Sequence, residues 1–226
     1  MNLHSGTADR IKFRRSVLRY TALFSGLFII ANGIVFTINA NLGVNPWDVL
    51  HIGIANQTGI TIGRVMQGIG LLLIFVSYLL RVKLFLGTIL NMIFLGLFVD
   101  LIIGWDYIPH PDYLWLRIIF YLFGVILFGF GVAFYISPNL GAGPRDSLML
   151  ALTRASKLKA GTVRTFMEVT VAIIGYLLGG PLGIGTFIFA LSIGLFMELG
   201  FSSVRWIKRT AIYMRVWSFN EKDYSD

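Results

Sequence analysis

Asn41-Leu42-Gly43-Val44-Asn45-Pro46-Trp47-Asp48-Val49-Leu50 is echoed by Asn139-Leu140-Gly141-Ala142-Gly143-Pro144-Arg145-Asp146-Ser147-Leu148. The spacing of 98 residues persists without a gap. Gly63 matches Gly161, Tyr78-Leu79-Leu80 matches Tyr176-Leu177-Leu178, and Gly87-Thr88 matches Gly185-Thr186. Gly96-Leu97-Phe98-Val99-Asp100-Leu101 matches Gly194-Leu195-Phe196-Met197-Glu198-Leu199. Roughly three in ten positions between Gly33 and Leu101 are identical to their echo, more than apolar bias alone produces. Internal repeats are a common plan of membrane transporters, whose sites lie between the repeats.

Composition places the chain in a membrane. Hydrophobic residues make up 56% of it and charged residues only 13%, where a soluble domain carries about 25% charged residues. Six apolar stretches are read as spans: Tyr20–Ile38, Gly63–Leu80, Leu84–Gly104, Leu114–Ile136, Val163–Leu178 and Ile184–Phe201. Two shorter segments, Pro46–Gln57 and Pro144–Ala155, follow the repeated motif and are too short to cross as helices, so they are expected as re-entrant or interfacial helices. The remaining segments are too short to bury a core of their own. The expected organisation is a basic N-terminal tail (1–19), a first repeat (20–104), an external loop (105–113), a second repeat (114–201) and a C-terminal tail (202–226).

Charge sets the topology. Arg10, Lys12, Arg14, Arg15 and Arg19 precede the first span, which puts that end in the cytoplasm. Six crossings then place Arg81, Lys83, Arg145, Arg154, Lys157, Lys159 and Arg164 inside, with the tail residues Arg205, Lys208, Arg209, Arg215 and Lys222. Only Arg64 falls on the wrong side. Eight crossings would carry Arg81, Lys83 and Arg145 outside. Three spans per half is odd, so the halves are expected upside down to each other: an all-α protein of two inverted three-span repeats, each with one short helix. The N-terminal segment reads as retained rather than as a cleavable signal. The net charge of +8 is assigned to loops beside anionic lipid and not to nucleic acid. The absence of cysteine excludes disulfides, thiolate metal sites and thiol nucleophiles.

The motif itself reads as a helix start. Asn45 or Gly143 stands at the cap, proline at the first turn, and Asp48 or Asp146 three residues after the cap. Two roles follow for the aspartates: caps alone, or caps that also line a site where two helix starts converge near the membrane midplane. In the second role Asn41, Asn45, Trp47, Asp48, His51, Asn139, Arg145 and Asp146 are the candidate substrate-binding residues. Trp47 stands opposite Arg145 in the repeat and His51 opposite Met149, so an aromatic and a cation give the site its asymmetry. Trp47 also suits an interfacial belt, and Arg145 a cytoplasmic topology signal. Asp100, Glu168 and Glu198 are ionisable groups within or near the end of spans and are the candidates for a coupling ion, with proximity to water as the alternative. Asn91 and Gln67 read as glue between helices.

The two motifs resemble those of the YczE/YitT-like bacterial integral membrane proteins, and the resemblance extends over nearly the whole chain. It implies a multi-span protein of a bacterial inner membrane and leaves the chemistry open. No zinc-protease, nucleophile-elbow or phosphate-loop motif occurs, so an enzyme is not expected, and no cofactor or metal. The expected function is transport of a small solute or ion. The alternative is a non-transporting accessory protein that supports a partner enzyme or an envelope process. Lipids are the expected partners, and a homodimer is compatible with the small size.

Overall fold

The computed structural model describes residues 5–83 and 85–209. Within them the chain is a bundle of eight helices: α1 (Ser5–Ala40), α2 (Pro46–Thr58), α3 (Ile62–Leu79), α4 (Leu86–Trp105), α5 (Leu114–Ile136), α6 (Pro144–Ser156), α7 (Ala160–Leu177) and α8 (Ile184–Arg209). Helices α2 and α3 have the same bounds as α6 and α7 after a shift of 98 residues, and α4 and α8 start at the same shift. Their connections match as well. Asn41 and Asn139 both take positive φ, at 50° and 53°, and Gly43 and Gly141 follow at 102° and 125°. Those glycines allow the reversal between helix end and helix start that a Cβ would obstruct.

From Ser5 onward the expected basic tail belongs to α1, and residues 202–209 of the expected C-terminal tail belong to α8. Arg215 and Lys222 lie outside the described residues. Five helical stretches are long and apolar enough to cross a membrane: Ser16–Ala40, Ile62–Leu79, Leu86–Trp105, Leu114–Ile136 and Ile184–Ile207. The expected sixth, α7, is not among them, because Arg164 and Glu168 lower its apolar character. The outer surfaces are apolar: Phe75, Phe166 and Leu177 are exposed, and Leu191 is 87% exposed. A continuous apolar exterior of this kind belongs in lipid.

Helix α1 is the axis of the bundle. Leu23, Leu27, Ile30, Ala31 and Ile34 are buried against α4 and α5. Four glycines bring α1 and α5 into backbone contact. A Cβ on Gly26 would lie 2.8 Å from the Gly131 carbonyl, and one on Gly33 would lie 2.6 Å from that of Gly124. Small residues allow such approach where no solvent drives helices together. As α1 ascends from Gly26 to Gly33, its partner on α5 descends from Gly131 to Gly124, so these repeat-equivalent helices run antiparallel.

The halves interlock. The short helix α2 packs most extensively on α7, and α6 on α3. The Gly87 amide donates to the Leu140 carbonyl at 2.8 Å, and the Gly185 amide donates to that of Leu42 at the same distance. Two arginines complete the exchange. Arg19 on α1 donates to the Pro138 and Asn139 carbonyls at the end of α5. Arg117 on α5 donates to the Ala40 and Asn41 carbonyls at the end of α1. Each guanidinium satisfies carbonyls that a helix C-terminus leaves without an internal partner. Arg19 and Arg117 are themselves 98 residues apart.

Candidate functional site

The two proline helix starts meet around one cavity of about 110 Å³. Asn45, Trp47, Asp48 and His51 line it from the first motif, and Pro144 and Arg145 from the second. Ile34, Met66, Leu95 and Phe128 make much of the wall apolar, and Asn91 adds a buried amide.

At α2 the cap is built from side chains. Asn45 Oδ1 accepts the amides of Trp47 at 3.0 Å and Asp48 at 3.1 Å, and Pro46 has no amide to satisfy. The sequence suggested that the Asp48 carboxylate would take backbone amides. With Asn45 already on them, it instead accepts from Asn45 Nδ2 and faces His51 Nδ1 at 3.1 Å. Asp48 is only 2% exposed and His51 7%, which leaves this small network as the place where their polarity is satisfied.

At α6 the same backbone carries a different interior. Gly143 offers no capping oxygen. Tyr135, arriving from α5, accepts the Gly143 amide at 3.3 Å and donates to Asp146 at 3.2 Å. Arg145 lies with its guanidinium carbon 5.9 Å from the centre of the Trp47 ring. Its other side meets Glu168 at 3.3 Å, and Glu168 also accepts from Arg164 at 3.0 Å, one turn away on α7. Trp47 is buried rather than in an interfacial belt, and its indole Nε1 has no acceptor among the described residues. A second void of about 10 Å³, room for a single water, is lined by Trp47, Arg145, Asp146, Met149 and Glu168.

The other candidates lie elsewhere. Asn41 and Asn139 are exposed at the helix ends, where their carbonyls receive the two arginines. Asn41 borders a separate opening of about 480 Å³ with His110, Asp112 and Arg117. Asp100 accepts from the Thr61 hydroxyl at 2.6 Å and the Gly63 amide at 2.7 Å, and so caps α3 from the side. Glu198 is exposed on α8. Of the three acids suggested for a coupling ion, only Glu168 reaches the cavity region. Sequence reading gives Tyr135 and Arg164 no place in the site, and it does not pair Arg19 with Arg117. The 98-residue echo, extended back past Gly33, marks the two arginines. Nothing in the sequence marks Tyr135 as different from a tyrosine at a membrane interface.

A helical, multi-pass membrane protein with a small, largely apolar cavity between two helix starts that carry polar side chains is the class that the fold and this site define. The chain belongs to DUF6198, a family of unknown function, whose profile matches residues 17–201. It is 39% identical over 185 residues to the uncharacterized membrane protein YczE of Bacillus subtilis, covering 80% of this chain and 85% of that one. An uncharacterized protein of Haemophilus influenzae is 41% identical over 172 residues, 76% of this chain and 78% of its own. The uncharacterized protein YyaS of Bacillus subtilis is 28% identical over 174 residues. No solved structure matches the chain.

Proposed function

We propose that the protein is a small secondary transporter of a bacterial inner membrane, built from two inverted repeats, that carries a small solute or ion through the cavity between the α2 and α6 starts. The observation that carries this reading is the cavity itself: both repeats bring a helix N-terminus to it, the first adds the buried Asn45–Asp48–His51 network, and the second adds the Arg145 guanidinium. Buried ionisable groups around a void in an apolar bundle are costly to maintain and mark a pathway more readily than a scaffold. Antiparallel packing of α1 on its equivalent α5 supports inversion, since parallel repeats would run their equivalent helices the same way.

In this reading α7 is the sixth span. Its two charges compensate each other across one helical turn and meet Arg145, so it crosses with its polar stripe toward the protein. Both termini then lie in the cytoplasm. The charge ledger of the site supports coupling to a cation. Arg145 and Arg164 stand against Asp48, Asp146 and Glu168, two formal positive charges against three negative, and one bound cation balances them. Trp47 supplies a buried donor for an acceptor atom of the solute. The reading gives no residue a bond-making step.

The test is thermal unfolding of the purified protein against a panel of metabolites, ions and lipids, since a ligand that binds only the folded state raises its midpoint. A shift that disappears in Arg145→Ala and in the double variant Asp48→Asn/Asp146→Asn supports a site between the repeats. No shift with any soluble ligand, or an unchanged shift in the double variant together with unchanged flux, sinks the reading and favours an accessory protein.

A further inference from the structure

The two halves differ at one seam. In the first half, α3 and α4 touch backbone to backbone. A Cβ on Gly63 would lie 2.0 Å from the Gly96 carbonyl, and one on Gly96 would lie 2.3 Å from that of Gly63. Asp100 seals the contact by taking the Thr61 hydroxyl and the Gly63 amide. The equivalent residues of the second half are Gly161, Gly194, Glu198 and Lys159. There the seam stands open. Neither Gly161 nor Gly194 has anything within 4 Å of an added Cβ, and Glu198 and Lys159 are both exposed. Helix α8 packs on α5 and α7 on α2 and α6, with no packing between α7 and α8 comparable to that of α3 on α4.

Glycine inside a helix costs stability. Gly63 and Gly96 offset that cost through a contact only glycine allows. Gly194, in the middle of α8, has the cost without the contact. The seam carries the rest of the closing device: a carboxylate one turn beyond the glycine on α8, and a lysine two residues before the glycine on α7. Closed like its counterpart, Glu198 would meet the Gly161 amide and the Lys159 ammonium, and the cap would be an ion pair.

We infer that α7 and α8 close onto each other through Gly161 and Gly194 in a second state of the protein, while α3 and α4 part. This rests on the inverted-repeat transport reading and deepens it, because exchanging the conformations of two inverted halves exchanges the membrane face that the site opens to. The structure then represents one of two access states, with the first half closed. The mobile element is the helix that carries Arg164 and Glu168, so closure moves their charges relative to Arg145.

The chain has no cysteine, which makes cross-linking in native membranes clean. Thr61→Cys/Asp100→Cys traps the present state and Lys159→Cys/Glu198→Cys the other, because a disulfide needs Cα atoms within about 7 Å. Both pairs are expected to cross-link, and in the four-cysteine variant a single molecule is expected to hold one disulfide and not both. Adding Gly194→Leu is expected to lower the Lys159–Glu198 pair's cross-linked fraction about tenfold through steric overlap, with Tm unchanged or raised. The inference is overturned if the second-half pair stays uncross-linked while the first forms, if both disulfides form together, or if Gly194→Leu changes nothing. Spin labels on the exposed residues Phe166 and Leu195 provide a check independent of the seam residues. Two distance populations are expected, and a single one overturns the inference. Two populations without flux of any solute would remove transport and leave the seam exchange standing. Ligand binding with a permanently open seam would do the reverse.

Discussion

At the start of α2, an asparagine, an aspartate and a histidine bond to one another and to the helix amides. At the start of α6, a glycine stands in place of the asparagine, a tyrosine is borrowed from α5, and an arginine turns outward to an aromatic ring and an acid. The backbones are alike, with extended cap residues at ψ 154° and 167° and proline in the first turn of each. The two starts therefore share what the main chain requires and differ in their side chains. The first start satisfies its cap amides and its Asp48 carboxylate from its own residues. The second is held by groups from other helices, so it is the half whose interior a ligand or a helix movement can change.

The sharpest way to break the comparison is to make one substitution at both copies of a position. Gly96→Leu drives a side chain into the Gly63 carbonyl, a backbone atom that cannot give way, and is expected to cost about 3 kcal/mol or to prevent folding. Gly194→Leu meets open space and is expected to gain about 0.5 kcal/mol from helix propensity. Thermal unfolding in one detergent compares them, and equal losses would mean that the second seam is already closed in the isolated protein.

The carboxylates come next. Asp48→Ala leaves the Asn45 amide and His51 buried without their acceptor, with an expected loss of about 3 kcal/mol. Asp146→Ala removes a single hydroxyl contact from a half-buried group and should cost about 1 kcal/mol. A larger loss at Asp146 would reverse the assignment of the rigid half. Capping gives a smaller contrast. Asn45→Ala gives up the acceptor of two amides, for about 1 kcal/mol. Gly143→Ala gives up no cap and is expected to cost less in the same unfolding assay, since only the Tyr135 hydroxyl, 3.2 Å from the added Cβ, has to give way.

The smallest effect lies at the far ends of the same helices. Gly59 ends α2 at φ 70°, and Lys157 ends α6 at φ 59°. Lys157→Gly relieves the left-handed strain of a residue with a Cβ and is expected to raise stability by about 0.5 kcal/mol. A fall in Tm would show that the lysine has a function that outweighs its backbone cost.

The short helices were legible almost to the residue, because proline at one end and a left-handed residue at the other are local signals. The expected Pro46–Gln57 is Pro46–Thr58, and Pro144–Ala155 is Pro144–Ser156. Asn45, Trp47, Asp48, His51 and Arg145 were named from the motif and all line the cavity. Asn41 and Asn139 belong to the same motif, yet point their roles at the arginines, because a helix end needs its carbonyls satisfied before it can serve a site. Asp100 and Glu198 looked alike in sequence. One caps a neighbouring helix and the other faces outward, a difference that depends on whether the adjacent seam is shut.

The sequence by itself determined the membrane class, the helix starts, the 98-residue echo and the residues of the first motif. All of these follow from local composition, from backbone preference or from comparison of the chain with itself. Only the tertiary structure decided that each short helix packs on the other half, that Tyr135 and Arg164 join the site, and that Arg19 and Arg117 close opposite ends of the bundle. Some of those contacts cross long separations, 76 positions for Arg117 with Asn41, and no local pattern encodes which distant carbonyl a guanidinium will find. Others are short, 11 positions for Tyr135 with Asp146 and 23 for Arg145 with Glu168, and depend on how neighbouring helices fold back on one another. The inequality of the two seams is of the same kind. Identical glycines permit contact in both halves, and the packing of whole helices decides where contact is made.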